Sequence, residues 1–241
     1  MEESLQNIHT LHVKQACTNC RVRKLCLPVS LDSTAVQTLA QLVKRRAPLK
    51  RGEHLYHLGD RFTSLYAIQV GALKTYGITL EGATQVTGFH LSGELVGMDA
   101  IDNLVHPCSA VALENTWVCE LPFNQLETLA LQVPGLQHEI MRLMSRQIRD
   151  ESNMLLMMGK VSAEVRLVRF LRNLHQRMRK RLGNIDEIHL PMTREDIANY
   201  LGLTPETVSR VFTRLRSEGI ITVRNRRLKF VNMRAVEQLA S

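Results

Sequence analysis

Three cysteines lie close together near the N-terminus, where Cys17, Cys20 and Cys26 form the pattern C-x2-C-x5-C. Closely spaced thiolates bind soft metal ions and iron–sulfur clusters. Such a centre needs four ligands, and Cys108 or Cys119 could supply the fourth from a distance. On spacing alone, a structural zinc ion or reactive thiols without a metal remain open alternatives.

The segment around these cysteines is cationic and lacks secretory features. Arg21, Arg23 and Lys24 lie between the second and third cysteines, where they would offset the negative charge of a four-thiolate cluster. The first four residues include two glutamates, Glu2 and Glu3, and no apolar signal region follows them. The chain also has no run of 18 apolar residues, so no membrane span is expected. These features predict metal or redox chemistry in a reducing cytoplasm.

A second element with recognisable chemistry lies near the C-terminus. Thr193 and Asp196 have the spacing of a helix capping box. Gly202 ends that helix, and Thr204-Pro205 starts the next one as N-cap and first helical residue. Two short helices joined by a turn that contains glycine form a helix-turn-helix.

The second helix of this unit has two chemically distinct faces. The apolar residues at i, i+3, i+4 and i+7 form the inward face and are Val208, Val211, Phe212 and Leu215. The opposite face carries Glu206, Ser209, Arg210 and Thr213. An arginine can bond guanine O6 and N7, and a carboxylate can accept from cytosine N4. This face therefore predicts base reading in DNA, the alternative being an ordinary amphipathic helix pair.

The charge distribution favours a nucleic-acid partner for the same region. Residues 161–241 contain 16 Lys and Arg against 8 Asp and Glu, so the remaining residues contain 15 of each and the net charge of +8 lies in the last third. After Gly219, two alternating runs flank Arg224-Asn225-Arg226-Arg227 and predict a hairpin with a cationic tip. Such a wing should touch phosphates. A basic solvated face without a partner is the alternative.

Two kinds of scaffold must position these groups. Eight of the thirteen glycines lie between positions 52 and 97 and separate short apolar runs, such as 65–68, 72–76 and 86–89. With a further run at 117–121, this pattern predicts an antiparallel sandwich or barrel. Residues 136–160 instead predict a long helix, and from Ala163 a second helix leads to the C-terminal unit.

The long helix carries a heptad seam. Its positions are Met141, Met144, Ile148, Glu151, Leu155 and Met158. Five of the six are apolar, which favours a parallel partner helix over packing within the same domain. Two facing Glu151 side chains would repel each other in the partly desolvated seam and oppose pairing.

Four segments together resemble the FNR branch of the CRP/FNR regulators, along nearly the whole chain. They are residues 17–28, 87–97, 117–123 and 202–210. The resemblance implies an α+β fold with an N-terminal antiparallel β-roll of the cupin or cyclic-nucleotide-binding type, a long dimerisation helix and a C-terminal winged helix-turn-helix. The implied divisions are a cluster-binding segment (1–30), a sensory β-roll (31–133), the dimerisation helix (134–160) and the DNA-binding domain (161–241).

The resemblance also assigns the cysteines. It implies one [4Fe–4S] cluster per subunit, bound by Cys17, Cys20, Cys26 and Cys119, because Cys119 lies in the family context V-C-E-L-P-F. Cys108 stands where relatives that bind cyclic nucleotides place an arginine before Ser-Ala, so cAMP is not expected. Cys108 is then expected to be a small, partly buried residue.

The function implied is that of an oxygen-responsive transcription regulator and not of an enzyme. An intact cluster would favour a homodimer that binds a TTGAT-N4-ATCAA-like palindrome, oxygen would destroy the cluster, and RNA polymerase would be a further partner. The DNA contacts implied are Thr204, Glu206, Ser209, Arg210 and Thr213 on the helix-turn-helix, with Arg226 and Arg227 on the wing. The loop between Cys20 and Cys26 is more cationic than the family pattern, and this departure concerns the oxygen sensitivity of the cluster and not its identity.

Two alternatives stay open beside this function. A regulator of the same architecture could sense nitric oxide or a small ligand, with the cysteines binding zinc or acting as redox thiols. A ferredoxin-like electron carrier would leave the helix-turn-helix unexplained, and the sequence supplies no second cluster motif.

Overall fold

The structure is a computed structural model that describes residues 17, 20, 22, 25–27, 31–183 and 185–240, with the backbone alone for 157–160 and 181–182. The cationic residues Arg21, Arg23 and Lys24 therefore lie outside the described residues. Within the described part, no helix is long and apolar enough to cross a membrane.

Two antiparallel four-stranded sheets form the N-terminal half. Their strands are β1 (Lys44–Arg45), β2 (His54–Tyr56), β3 (Ser64–Val70), β4 (Ala72–Ile78), β5 (Thr84–Leu91), β6 (Leu95–Val96), β7 (Ser109–Ala112) and β8 (Trp117–Pro122). The first sheet has the order β1-β8-β3-β6 and the second β2-β7-β4-β5. Ile68, Leu73 and Val118 belong to the apolar core that both sheets share. The predicted β-roll is therefore confirmed.

The glycine-rich pattern corresponds to tight turns between these strands. Gly71, between β3 and β4, has a φ of 97°. A Cβ atom there would lie 2.4 Å from Thr116 Oγ1 and 2.7 Å from the Asn115 carbonyl oxygen. Only glycine allows both this backbone conformation and this close approach.

Three helices pack on the outer face of the first sheet. They are α1 (Ser33–Leu42), α2 (Phe123–Gln132) and α3 (Pro134–Lys160). Leu39, Leu65, Leu126 and Leu136 are almost fully buried in the core that these helices form with the sheet. The long helix, which the residue pattern predicts over 136–160, runs from Pro134 to Lys160, whereas α1 was not predicted. Asp32 caps α1 by accepting a hydrogen bond from Ala35 N at 2.8 Å.

The C-terminal third is a winged helix-turn-helix. It contains α4 (Ala163–Leu182), β9 (Glu187–His189), α5 (Arg194–Leu201), α6 (Pro205–Ser217), β10 (Ile221–Arg224), β11 (Arg227–Phe230) and α7 (Met233–Ala240). The strands form a sheet with the order β10-β11-β9. The predicted capping box of Thr193 and Asp196 is present at the start of α5. Strand β9 and helix α7 were not predicted.

Candidate functional site

Four of the five cysteines line one pocket. Cys17, Cys20, Cys26 and Cys119 all line it. The other lining residues are almost all apolar: Val22, Leu27, Leu39, Val43, Ala67, Ile68, Gln69 and Leu121. None of the five cysteines forms a disulfide. The structure therefore brings together the four cysteines that the resemblance grouped, although their ligand role stays a proposal.

Local structure explains how these thiols reach the pocket. Cys119 lies in β8, where it pairs with Ala67 of β3 on one side and Arg45 of β1 on the other. Cys26 follows a tight turn in which its N–H donates to the Val22 carbonyl at 3.1 Å. One thiol thus belongs to the sheet and three belong to the N-terminal segment.

The pocket favours neutral thiols when it holds no cation. Burial raises the pKa of the Cys26 thiol strongly, and it raises the pKa of Cys119 to about 11, with further contributions from Cys17 and Cys20. Arg45 acts in the opposite direction on Cys119. A bound metal centre would supply the positive charge that deprotonates coordinating thiols.

The donor set fits an iron–sulfur cluster. Four thiolates are also the donor set of a tetrahedral structural zinc ion. A [4Fe–4S] cluster binds each thiolate through a different iron atom, so it accepts more widely spaced cysteines. Four thiols around an apolar pocket agree with that chemistry.

Cys108 lies elsewhere. It is 5% exposed, in the core between the two sheets, and its Sγ donates to Asp99 Oδ2 at 3.2 Å. Burial and then Asp99 raise its pKa to about 12. The residue is more completely buried than the sequence suggested, and its thiol is kept neutral and inert.

A second, wider pocket adjoins the cysteines and was missed by sequence reasoning. Arg45, Arg46 and Trp117 line it together with Cys17, Cys20 and Cys119. Arg45 is brought there by pairing with Cys119 across β1 and β8. The two residues are far apart in the sequence, so only an inference of strand pairing could have linked them.

The cysteine segment shares a core with the start of the long helix. Leu27 and Leu136 are both buried in the same apolar cluster. Cys26, Ile140 and Leu143 pack at the edge of that cluster. A change in how the segment is held can therefore reach α3 through this shared core.

The predicted seam of α3 faces solvent in the single chain. Met141, Met144, Ile148 and Leu155 are 58%, 37%, 63% and 73% exposed. Glu151 is also exposed and accepts a hydrogen bond from Gln147 Nε2 at 2.9 Å. The side chain of Met158 lies outside the described residues. An apolar stripe of this extent suits a partner helix.

Helix α6 presents its polar face outward. Val208, Phe212 and Leu215 are buried. The predicted DNA-contacting residues Thr204, Glu206, Ser209, Arg210 and Thr213 are all exposed. Thr204 Oγ1 caps the helix by accepting from Thr207 N at 3.2 Å. Arg210 Nη2 donates to Thr207 Oγ1 at 3.1 Å, which leaves its remaining guanidinium donors available on the outer face.

The wing has the predicted cationic tip. Strands β10 and β11 pair from Ile221↔Phe230 to Arg224↔Arg227, so Asn225 and Arg226 form a two-residue turn. Both turn residues have positive φ, at 46° and 66°, as a type I′ turn requires. Arg226 and Arg227 are exposed, and Arg227 also lies 3.6 Å from a carboxylate oxygen of Glu187.

Comparison with known proteins agrees with these elements. A family model for a Crp-like helix-turn-helix domain matches residues 165–239, and one for a cyclic nucleotide-binding domain matches residues 46–132. The transcriptional activator protein Anr of Pseudomonas protegens is 46% identical over 92% of this chain and 91% of its own length. The fumarate and nitrate reduction regulatory protein of Escherichia coli K12 is 42% identical over 93% and 90%. The solved structure of FixK2 from Bradyrhizobium japonicum has a TM-score of 0.75 at 26% identity, covering 83% of this chain and 98% of that one.

Proposed function

The chain belongs to the CRP/FNR family of transcription regulators, and from that premise we propose that it is an oxygen-responsive, DNA-binding homodimer. The observation that carries the proposal is the pocket in which Cys17, Cys20, Cys26 and Cys119 meet. When bound there, a [4Fe–4S] cluster would supply an oxygen-labile link among the four thiolates. The proposed site of action is the cytoplasm.

The chain's own residues convert that link into a structural constraint. Cys119 is fixed in strand β8, whereas Cys17, Cys20 and Cys26 belong to the N-terminal segment. A centre bound by all four thiolates would therefore link that segment to β8. The tie holds Leu27 in the core that it shares with Leu136 at the start of α3. We expect this packing to favour the pairing of α3 with its copy in a second chain. A loss of 2–3 kcal/mol of pairing would change operator occupancy roughly 30- to 150-fold.

The DNA-binding domain supplies recognition. Glu206, Ser209 and Arg210 lie on the exposed face of α6, where they can reach base edges in the major groove. Two copies related by a two-fold axis would read a TTGAT-N4-ATCAA-like palindrome. RNA polymerase is proposed as the partner of the DNA-bound dimer.

A cyclic nucleotide is not proposed as the effector, although a family model for such a domain matches. Cys108 stands before Ser109-Ala110 and bonds Asp99, so no cation lies at that position to bind a phosphate. The carboxylate of Glu94 in the same domain is also already engaged, because it forms an ion pair with Arg177 of α4.

Iron and sulfide analysis with a visible spectrum, before and after exposure to air, tests the proposal. We expect anaerobically purified protein to contain both elements and to lose its visible absorption in air. Colourless protein that contains zinc or no metal would contradict it. Cys17→Ser, Cys20→Ser, Cys26→Ser and Cys119→Ser should each lose iron, whereas the matched Cys108→Ser should retain it. Iron retained by Cys119→Ser but lost by Cys108→Ser would overturn the ligand assignment.

A further inference from the structure

The turn at Gly93–Glu94 lies directly beneath the cysteine segment. Gly93 has a φ of +86°, and a Cβ atom on it would lie 2.9 Å from Leu25 Cβ and 3.6 Å from Val22 Cβ. Both neighbours belong to the loop that ends at Cys26. The absence of a side chain at Gly93 therefore lets the cysteine loop rest on the backbone of this turn.

The same turn is bonded to the strand that lines the cysteine pocket. Gly93 N donates to the Ile68 carbonyl at 2.7 Å, and Ile68 N donates to the Glu94 carbonyl at 3.0 Å. Ile68 is itself one of the residues that line the cysteine pocket. The turn is thus fixed from two sides by groups that border the four thiols.

Glu94 carries the contact onward to the DNA-binding domain. Arg177 of α4 donates from Nε to Glu94 Oε1 at 3.0 Å and from Nη2 to Oε2 at 2.6 Å. Arg177 Nη2 also donates to the Phe89 carbonyl at 2.5 Å, and Leu91 N donates to Glu94 Oε2 at 2.8 Å. Only a quarter of each charged side chain is exposed. A two-pronged, partly buried ion pair of this kind fixes geometry more firmly than a surface pair does.

Further contacts seat helices α4 and α5 on strand β5. The side-chain amide of Asn199 accepts from Val86 N at 2.5 Å and donates to the Thr84 carbonyl at 2.8 Å, so it pairs with the free edge of that strand. The ring centroid of Phe89 in β5 lies 5.8 Å from that of Phe170, with the rings tilted, and 5.1 Å from that of Tyr200, in an edge-to-face contact. These contacts set the orientation of the helix-turn-helix relative to the β-roll.

We propose that the Gly93–Glu94 turn and Arg177 relay the state of the cysteine segment directly to the DNA-binding domain, separately from the pairing of α3. The inference rests on the proposed function, because the cysteine tie supplies the signal. With the segment seated on Gly93, Glu94 is held where Arg177 grips it, and the DNA-binding domain is held in the orientation that binds DNA. Release of the segment frees the turn and loosens this grip. Arg177 is in this sense a positioning residue.

Glu94→Gln in the full chain, studied without oxygen, gives the sharpest test. Removing a negative charge should by itself strengthen binding to DNA. The relay predicts the opposite, an operator affinity roughly 5- to 150-fold weaker, which is the usual range of coupling between sites. Iron content and the dimer dissociation constant should stay as in the wild type.

Arg177→Leu should weaken operator binding in the same way, with Arg172→Leu as its matched control, since that change removes the same charge from the same helix. The exchanged pair Glu94→Arg/Arg177→Glu should recover part of the lost affinity. Hydrogen exchange adds a readout that does not depend on DNA: the amides of Leu91, Gly93 and Glu94 should exchange faster in Cys20→Ser than in wild type.

The outcomes separate the relay from the proposed function. Wild type that contains iron, together with Glu94→Gln that binds the operator as tightly as wild type or more tightly, overturns the relay alone. So does a Glu94→Gln protein whose affinity falls only in step with its dimerisation or its iron content. Wild type without iron, whose operator affinity is unchanged by Cys20→Ser, overturns the proposed function and leaves the relay no signal to carry.

Discussion

Leu155 and Leu156 offer a matched test of the dimer seam. They are neighbours on α3 and are 73% and 75% exposed, so the single chain treats them almost alike. Leu155 lies on the heptad seam, whereas Leu156 is rotated from it by about 100°. Replacing each by alanine removes the same atoms from two faces of the same helix turn.

The expected cost follows from the exposed fractions. Leucine to alanine removes three carbon groups, each of which contributes about 0.8 kcal/mol when buried. Because about three quarters of Leu155 remains to be covered, pairing should gain about 1.8 kcal/mol from these groups in each protomer. A two-fold dimer contains Leu155 twice, once in each protomer, so Leu155→Ala should lose about 3.5 kcal/mol, which corresponds to a roughly 300-fold weaker dimer. Leu156→Ala should leave association unchanged.

Sedimentation velocity of both variants under anaerobic conditions measures the effect. Their thermal unfolding as monomers should match the wild type, because neither side chain is buried in the single chain. A dimer weakened by Leu156→Ala but not by Leu155→Ala would show that α3 pairs through a different face. Equal and small effects of both would show that α3 does not carry the interface.

Further changes test the DNA-binding surface, the seam carboxylate and a domain-bridging ion pair. Arg210→Ala should cost about 1–3 kcal/mol of binding free energy on the cognate operator and relax discrimination at one base pair. Arg226→Ala or Arg227→Ala should instead weaken binding to all DNA sequences and lower the slope of log affinity against log salt concentration by about 1. Equal losses for Arg210→Ala on matched and mutated operators would contradict base reading. Glu151→Leu should make air-exposed, cluster-free protein dimeric and able to bind DNA, because it removes two like charges that face each other in the seam. If ultracentrifugation shows both this variant and the wild type as monomers, Glu151 is not the residue that opposes dimerisation. Asp196 of α5 forms an ion pair with Lys74 of β4 and accepts hydrogen bonds from Thr193. Burial alone would raise the pKa of Asp196, but the hydrogen bonds from Lys74 and Thr193 hold that pKa below its ordinary value of 3.8. Its contribution to stability is therefore present above that value and lost as the pH falls through the lower, folded-state pKa, so Asp196→Asn should destabilise the protein more at pH 5 than at about pH 3 in thermal unfolding.

Local signals explain which elements could be predicted. The helix-turn-helix is encoded within a few residues, because Thr193 and Thr204 cap their helices and Gly202 allows the turn between them. The seam of α3 repeats along one helix, so its period is visible in a single stretch of sequence. Helix α1 has an N-cap at Asp32 but no acidic residue in its first turn and no basic residue in its last, and it was not predicted.

The chemistry of the cysteines was determined by the sequence, and their meeting place by the tertiary structure. The spacing of Cys17, Cys20 and Cys26 showed that soft-metal chemistry was available, but it left the fourth thiol open between two cysteines. Strand pairing brings Cys119 of β8 to the pocket that the other three thiols line, while Cys108 lies in the core between the sheets, and this placement supports Cys119 as the proposed fourth ligand. The contact between Glu94 and Arg177 likewise joins residues 83 positions apart. No local pattern encodes such contacts, because they form only when distant segments pack into one core.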